Sequence, residues 1–439
     1  MLRYSAGVRE TPSHTIPLFL LPFPPFRAAL PTTHNLLRKM KLVKTFAMGA
    51  VALATIASSA FAADLGTVRI TGSSAFRAAS LNAIKALYTT TGTNPLVYGW
   101  AGTGSFTGST YAIFDGNLAG GDTVRIETNF TGSSAGIQTI AQQSPVLTIP
   151  FINVARGSLS SGGTSGLATP VTNFAADIAM SDVVVGLTPW SGDGYNGLAS
   201  PGADPVGVIP FYWVANGNAH ASLTNVTNQI VKAAAADSLR VSFFSQNNAD
   251  SGAVRVIGRN FDSGTRLTAY EEADYGALTT ATQFEPTTAS GTVTALTKYH
   301  AETVLGVAFG LGESGYASGG SVAGVYARPI SSGLNFISYL GRSDAKAAVL
   351  AGARLLTYNG VSAPLSGVDA TDNVPFVNGT YSFWSYEHMY YADSHSGDAV
   401  TNIADLVATK IATVTAANSG IANGDMKVVR GGEGQAITP

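Results

Sequence analysis

The chain has 439 residues, a formal net charge of −2 and no cysteine, and 45% of its residues are hydrophobic while 12% are charged. The lack of cysteine excludes disulfides, thiol catalysis, thiolate zinc sites and a lipid anchor on cysteine. The chain has no excess of basic residues with which to bind nucleic acid, so nucleic acid is not expected as a partner.

Residues 40–62 have the pattern of a secretory signal peptide. A basic start is followed by an apolar core from Phe46 to Ile56 and by the small-residue end Ala60 to Ala62, so cleavage is expected after Ala62. The apolar core is too short for stable membrane insertion. Residues 1–39 are interpreted as a non-native upstream extension before a true start at Met40, with a longer targeting peptide as the alternative. We therefore expect a periplasmic or secreted protein.

Cleavage at this point changes the charge of the chain. It removes seven of the 25 Lys and Arg residues and one of the 27 Asp and Glu residues, which leaves a formal charge of −8 on 377 residues. An anion would then have to be held by local donors, because the overall field repels it. The remaining length is sufficient for two domains with separate cores.

Strand-like and helix-like segments alternate along the chain. The predicted strands are Val68–Thr71, Val124–Thr128, Ile178–Met180, Val206–Val214, Arg255–Gly258 and Gly333–Leu340. The predicted helices are Ala75–Tyr88, Gly136–Gln143, Val226–Ala236, Arg266–Asp274, Ala345–Leu356 and Thr401–Ala416. The turn-rich stretches Gly99–Gly121 and Arg156–Pro170 are interpreted as surface insertions. The alternation predicts an α/β fold, in which ligands bind at the carboxyl ends of strands.

Three loops rich in glycine and serine each follow a strand-like segment and precede a helix-like one. They are Gly72-Ser73-Ser74, Gly132-Ser133-Ser134 and the segment from Arg259 to Thr265. A turn of small residues before a helix directs backbone N–H groups and the positive end of the helix dipole at one point. Three such turns and one arginine predict a site that binds an oxyanion without a catalytic group.

Together with Ala179-Met180-Ser181-Asp182, these loops resemble, in order and approximate placing, the ligand loops of the phosphate-binding proteins of ABC importers. The resemblance covers most of Val68 to Tyr391. It implies a type II periplasmic-binding-protein fold, in which two α/β lobes, each a mixed and mostly parallel sheet flanked by helices, are joined by two crossover strands. The crossovers would lie near Ile209 to Val214 and Tyr381 to Tyr391. The implied lobes are residues 64–210 plus 380–439, and residues 211–379.

The resemblance also implies the ligand-binding residues. They are Ser73, Ser74, Ser133, Ser134, Asp182, Arg259, Asp262, Ser263, Gly264 and Thr265. Arg259 would be the only cation, and its planar fork suits two oxygens at once. Asp182 would accept a proton that phosphate carries at neutral pH and sulfate does not, and so would reject sulfate.

One position departs from the family pattern. The family usually has a second Asp two residues after the arginine, but this chain has Phe261 there and Asp262 one place later. Either Asp262 substitutes with altered geometry, or the site is adapted to another ligand.

The resemblance implies a solute-binding protein that captures phosphate or a related oxyanion, closes by a hinge and presents the ligand to an ABC permease. No enzyme activity, cofactor or metal is expected, and the protein is expected to be a monomer. The alternative is an exported surface, adhesion or matrix protein that uses the same fold as a scaffold. Convergence of Arg259 and Asp182 with the serine loops in one buried cleft would separate these hypotheses. A match of Gly132 to Gly136 to the Gly-x-Ser-x-Gly elbow is expected by chance in so Ser- and Gly-rich a chain.

Overall fold

The structure, a computed structural model, describes residues 63–415 and 420–439. The predicted upstream extension and signal peptide, residues 1–62, lie outside the described residues. Among the helices that are described, none is both long enough and apolar enough to cross a bilayer.

Strands and helices alternate through the described residues. The first elements are β1 (Asp64–Gly72), α1 (Arg77–Lys85), β2 (Val97–Ala101), β3 (Tyr111–Asn117), β4 (Thr123–Asn129), α2 (Ser133–Ala141), β5 (Ile149–Pro150), β6 (Thr164–Leu167), β7 (Asn173–Phe174), β8 (Ile178–Ser181) and β9 (Leu198–Ala199). The next are β10 (Gly207–Ala215), β11 (Asn225–Val226), α3 (Asn228–Ala236), β12 (Leu239–Arg240), α4 (Ser242–Ser245), β13 (Ala253–Val256), α5 (Gly264–Glu272), β14 (Phe284–Ala289), β15 (Thr292–Lys298), β16 (Glu302–Val304) and β17 (Val307–Phe309). The last are α6 (Gly319–Tyr326), β18 (Asn335–Gly341), α7 (Arg342–Leu350), β19 (Arg354–Leu355), β20 (Thr357–Tyr358), α8 (Asp369–Asp372), α9 (Val374–Val377), β21 (Trp384–Ala392) and α10 (Ala399–Val414).

Thirteen of the described strands form one mixed sheet. Its order is β12-β13-β18-β10-β21-β8-β1-β4-β3-β2-β6, with β19 and β9 pairing on β10 and β21. Parallel pairing joins β8, β1 and β4, and also β13 and β18, while most strands around them pair antiparallel. The predicted α/β class is confirmed. Because parallel strands end at the same edge of a sheet, the loops after β1, β4 and β8 lie together.

Two long strands in the middle of the sheet change neighbours halfway along. Residues 207–210 of β10 pair with β21, and residues 211–215 pair with β18. Residues 384–387 of β21 pair with β10, and residues 388–391 pair with β8. Both strands lie where the resemblance places the crossovers, and the exact bounds of the two lobes remain a prediction.

The residues that are buried in the core match the apolar patterns of the sequence. All nine residues of β10 are buried, as expected for a central strand that is covered on both faces. Helix α10 buries Ile403, Val407 and Ile411, which are four residues apart and form one apolar stripe. Its N-cap is Asp398, whose carboxylate accepts hydrogen bonds from the N–H groups of Val400 and Thr401.

Two sequence interpretations are wrong. Residues 99–121, expected as a surface insertion, contain β3, whose Ile113 and Phe114 are fully buried. Residues 156–170, also expected as a surface insertion, are largely exposed and contain the edge strand β6. The helix expected from Ala345 to Leu356 ends at Leu350, because Gly352 takes a φ of 100° and the chain then returns as β19 to pair with β10.

Candidate anion-binding site

The first serine loop is held against the end of β8 by a close backbone approach. Gly72 has a φ of 113°, and a Cβ at this position would lie 1.9 Å from the carbonyl oxygen of Met180. The N–H of Ser73 donates to that same oxygen at 2.8 Å. A side chain at Gly72 would therefore separate the loop from the strand that carries Asp182.

Asp182 is the centre of a buried hydrogen-bonded group. It follows β8 directly, and its side chain accepts hydrogen bonds from the hydroxyls of Ser133 on Oδ1 and Thr265 on Oδ2, the latter at 2.9 Å. Asp182, Ser133 and Thr265 are all 2% exposed. Burial raises the pKa of Asp182, and the two hydroxyls and Arg259 oppose this shift.

Two helices begin at this group. Helix α2 starts at Ser133 and α5 at Gly264, in both cases earlier than the sequence predicts. A Cβ on Gly264 would lie 2.0 Å from Oδ1 of Asp182 and 2.9 Å from Cβ of Ser133. The glycine thus lets the start of α5 touch both residues. The first N–H groups of each helix have no intrahelical acceptor, and the helix dipoles place positive potential at this point.

Arg259 is buried beside this group, with 3% of its surface exposed. Its Nε donates to the carbonyl of Tyr316 at 3.2 Å, and its Nη2 donates to the carbonyl of Ala317 at 3.0 Å and to the hydroxyl of Ser74 at 3.3 Å. Burial lowers the pKa of Arg259, and Asp344 and Asp182 oppose the shift. Neutral oxygen acceptors therefore orient the guanidinium, and the carboxylates of Asp344 and Asp182 act on it electrostatically.

Two further charged residues, Arg77 and Asp344, interact with Arg259, and the sequence did not indicate either of them. Arg77 opens α1, and Asp344 lies in the first turn of α7. Arg77 and Arg259 both oppose the rise in the pKa of Asp344 that burial causes. Arg259 is thus not the only cation here. Arg77 could have been suspected because it follows the first serine loop, whereas Asp344 is brought in from a distant element.

Ser134 and Asp262 are both buried, and their backbones are hydrogen-bonded to each other. The N–H of Ser134 donates to the carbonyl of Asp262 at 2.9 Å, and the Ser134 hydroxyl accepts from Nε1 of Trp190 at 2.8 Å. Burial, together with the charge of Glu302, raises the pKa of Asp262 to about 7. Phe261 packs against Phe309 with ring centroids 5.5 Å apart.

The other predicted residues lie in the same loops. Ser263 is the N-cap of α5, and its hydroxyl accepts from the N–H of Arg266 at 3.3 Å. Ser73 is fully buried, and its hydroxyl accepts from the N–H of Phe76 at 3.4 Å. The structure therefore gathers all four predicted loops into one buried region, with Ser133, Asp182, Gly264 and Thr265 in direct contact.

A second buried polar cluster lies on β21 and is called here the His388 cluster, formed by His388, Asp204 and Glu433. Nδ1 of His388 lies 3.0 Å from Oδ2 of Asp204, and Nε2 lies 3.5 Å from Oε1 of Glu433. These carboxylates raise the pKa of His388 to about 9 against the effect of burial. A cavity of about 490 Å³ lies against this cluster and is lined by His388, Tyr386, Met426 and residues 428–432.

Among the residues that the structure describes, no three His, Cys, Asp or Glu side chains are grouped as a metal site. The site offers hydroxyls, helix N-termini and guanidinium groups as donors, and the buried carboxylate of Asp182 as an acceptor among them. This set suits an anion that also carries a proton.

The comparisons with known proteins show no family for this chain. No family model matches the chain, and no curated protein matches it. A structure assigned as a phosphate ABC transporter substrate-binding protein with bound phosphate, from Clostridium perfringens, is 13% identical over 81% of this chain and 99% of that chain, with a TM-score of 0.42. An ABC-type phosphate transport receptor from Vibrio cholerae is 12% identical over 81% and 99%, with a TM-score of 0.36. PstS from Borrelia burgdorferi is 11% identical over 81% and 98%, with a TM-score of 0.35. Values this low transfer no residue role to this chain.

Proposed function

We propose that this protein is an extracytoplasmic solute-binding protein that captures phosphate or a related oxyanion between two lobes. The observation that carries the proposal is the buried group in which Asp182 is hydrogen-bonded to Ser133 and Thr265 at the starts of α2 and α5. Arg259 lies within electrostatic range of that carboxylate. Helix N-termini, hydroxyls and an arginine are the donors that bind oxyanions in proteins.

Each group would have a distinct role in holding the anion. The hydroxyls of Ser133 and Thr265 would turn from Asp182 to the anion, and Arg259 with Ser74 would contact it from the other side. Asp182 would then accept the proton of the ligand. A sulfate ion has no proton to donate at neutral pH, so its oxygen would face the carboxylate and be repelled.

Import is the biological setting that the four loops favour through their resemblance to the phosphate-binding proteins of ABC importers. In this setting β10 and β21 act as the connections between lobes, and closure presents the anion to a permease. The protein would act as a monomer outside the cytoplasm, with residues 64–210 plus 380–439 as one lobe and residues 211–379 as the other.

A second candidate is an exported scaffold protein without anion uptake. This candidate is favoured because the buried polar groups of the site already have hydrogen-bond partners in the protein. Ser133 and Thr265 donate to Asp182. Ser134 is hydrogen-bonded to Trp190 and Asp262. A site that is satisfied in this way can stay closed without a ligand.

Calorimetric titration of the protein with phosphate and with sulfate separates the two candidates, after any endogenous ligand has been removed by unfolding and refolding. We expect phosphate to bind and Arg259→Ala to weaken it about 100-fold, because a charge-assisted contact is lost in a buried site. The exposed Arg240 gives a matched control, Arg240→Ala, that should bind as the wild type does. Absence of heat with both anions would support the scaffold.

A second variant tests the role of the carboxylate. Asp182→Asn replaces an acceptor by an amide that can donate to an unprotonated oxygen. Phosphate should bind about 10-fold more weakly and sulfate more tightly than in the wild type. The exposed Asp193 supplies the control Asp193→Asn. Unchanged discrimination between the two anions in Asp182→Asn would contradict the role given to Asp182.

A further inference from the structure

A short segment after α10, residues 430–433, lies against two elements of the anion site and is called here the 430–433 clasp. Its two charged residues are buried, with 6% of Arg430 and 2% of Glu433 exposed. Charged side chains are seldom buried to this extent unless they are paired. The partners of these two residues therefore indicate what the clasp does.

Arg430 binds the last turn of α5. Its Nη1 donates to Oε2 of Glu272 at 2.9 Å, and the two side chains of this ion pair are 0% and 8% exposed. Its Nη2 donates to the carbonyl of Ser382 at 2.6 Å, and its guanidinium lies over the ring of Trp384, 4.0 Å from the centroid. Because α5 carries Thr265 in its first turn, Arg430 holds a helix that contributes directly to the anion site.

Glu433 binds the loop after β8. Its Oε2 accepts a hydrogen bond from the N–H of Val184 at 3.0 Å, two residues after Asp182. Its Oε1 lies 3.2 Å from the hydroxyl of Ser385, and that hydroxyl also lies 2.5 Å from the carbonyl of Asp182. Burial raises the pKa of Glu433, but the hydrogen bond and the charge of His388 outweigh burial and hold this pKa below its usual value. Glu433 is therefore a carboxylate at neutral pH that fixes the loop carrying Asp182.

The chain leaves the clasp in direct contact with α5. Gly434 has a φ of 73°, and a Cβ there would lie 2.6 Å from Cγ of Glu271 and 2.9 Å from its carbonyl carbon. Only glycine permits this approach without strain. The clasp is thus bound both to α5 and to the loop after β8. These are the two elements that Thr265 and Asp182 join by their 2.9 Å hydrogen bond.

We propose that Arg430 and Glu433 are positioning residues, which hold α5 and the loop after β8 at a fixed separation so that Thr265 and Asp182 face the bound anion together. The inference rests on the proposed function of the site. Neither positioning residue touches the anion. A binding site needs its contacting groups held to within about 0.5 Å, so the clasp matters most for the choice between phosphate and sulfate.

Two substitutions of Glu433 test the hydrogen bond to the loop. Glu433→Gln keeps the shape and an acceptor for the N–H of Val184, so the preference for phosphate over sulfate should stay within about twofold of the wild type. Glu433→Met keeps the volume but accepts no hydrogen bond, and the preference should fall about 10-fold. Competition calorimetry with inorganic phosphate and sulfate measures this preference.

Arg430→Lys tests the contact with α5, and it also serves as the test if Glu433→Met does not fold. Lysine keeps a positive charge beside Glu272 but lacks the planar fork that reaches the carbonyl of Ser382 at the same time. The preference for phosphate over sulfate should therefore fall about 5-fold.

Ile113→Ala is the control for a loss of stability alone, since Ile113 is buried in a cluster with Ile152 and Leu159 that shares no residue with the anion site. It should unfold at a lower temperature than the wild type but keep the wild-type preference between the two anions. An unchanged preference in Glu433→Met and Arg430→Lys, or an equal fall in Ile113→Ala, would overturn the inference. Absence of phosphate binding by the wild type would instead contradict the proposed function.

Discussion

The Asp182 site and the His388 cluster are both buried and polar, yet their charges are arranged differently. In the His388 cluster, the imidazolium lies between two carboxylates, at 3.0 Å and 3.5 Å, so charge is compensated within the protein. In the Asp182 site, the carboxylate is held by two hydroxyls and the guanidinium of Arg259 by carbonyls and Ser74. The first arrangement pairs opposite charges within the protein, whereas in the second both charged groups are held by neutral partners, as the proposed anion site requires.

The two regions are also connected. Oε2 of Glu433 accepts a hydrogen bond from the N–H of Val184 at 3.0 Å, two residues after Asp182. The Ser385 hydroxyl lies within hydrogen-bond distance of both the carbonyl of Asp182 and Oε1 of Glu433, and its single proton can be donated to either. The paired charges of the His388 cluster therefore help to hold the loop that carries Asp182.

The largest effect is expected from removing the cation of the His388 cluster. His388→Gln leaves Asp204 and Glu433 buried without a counter-charge and should lower the free energy of unfolding by about 3 kcal/mol. Urea unfolding measured by tryptophan fluorescence checks this, with the exposed His300 giving the control His300→Gln. If His388→Gln changed the free energy of unfolding as little as His300→Gln does, the charge of His388 would not be compensating the two buried carboxylates.

The same cluster predicts how stability depends on pH. The pKa of His388 is raised from 6.5 to about 9, so its contribution is complete below pH 6.5 and is lost as the pH rises through about 9. The pKa of Glu433 is lowered, so its contribution is lost instead as the pH falls through its folded-state pKa. Buried acids such as Asp182 and Glu387 also reduce stability with rising pH, but they are shared by wild type and variant.

Unfolding free energies measured between pH 6.5 and about 9 should therefore fall more steeply in the wild type than in His388→Gln. Parallel slopes for the two proteins would show that His388 is neutral in the folded state.

A smaller effect, mainly on phosphate binding, is expected when a methyl group is added at the point where α5 touches Asp182. In Gly264→Ala the new Cβ would lie 2.0 Å from Oδ1 of Asp182, so the carboxylate must move. We expect phosphate affinity to fall about 20-fold and stability by about 1–2 kcal/mol. Gly157→Ala is the control, because a Cβ at Gly157 would meet nothing within 4 Å. Unchanged phosphate affinity in Gly264→Ala would mean that Asp182 does not contact the ligand.

The smallest effect concerns Ser134. Trp190→Phe removes the 2.8 Å hydrogen bond from Nε1 to the Ser134 hydroxyl but keeps an aromatic ring. Thermal and urea unfolding should show a loss of about 1 kcal/mol. Phosphate affinity should change less than twofold if Ser134 serves the fold. A clear gain in affinity would instead place the freed hydroxyl on the anion.

The parts of the fold that the sequence could predict are those set by local pattern. The apolar run of β10 and the Gly-Ser turns after β1 and β4 are short-range signals, and the structure has the expected elements there. Strand β3 was missed because the turn residues before it dominate the composition of its neighbourhood. Its buried Ile113 and Phe114 depend on pairing with β2 and β4.

The candidate site shows the same limit. Ser133, Asp182 and Thr265 could be selected because they lie in short loops, after a strand or at the start of a helix, that resemble the ligand loops of a known family. Asp344 could not, since it reaches the site only through the packing of α7. The internal bonds of Ser134 were equally invisible, because Trp190 lies 56 residues away along the chain.

The most direct test of the account is a crystal structure of the protein grown with arsenate, an analogue of phosphate that can be located by anomalous scattering. The account predicts a single strong arsenic peak within hydrogen-bonding distance of Ser133 and Thr265, with Arg259 and Asp182 turned toward it. Density at a different place, or none in crystals of a protein that retains its fold, would contradict the claim that these four loops form an oxyanion site.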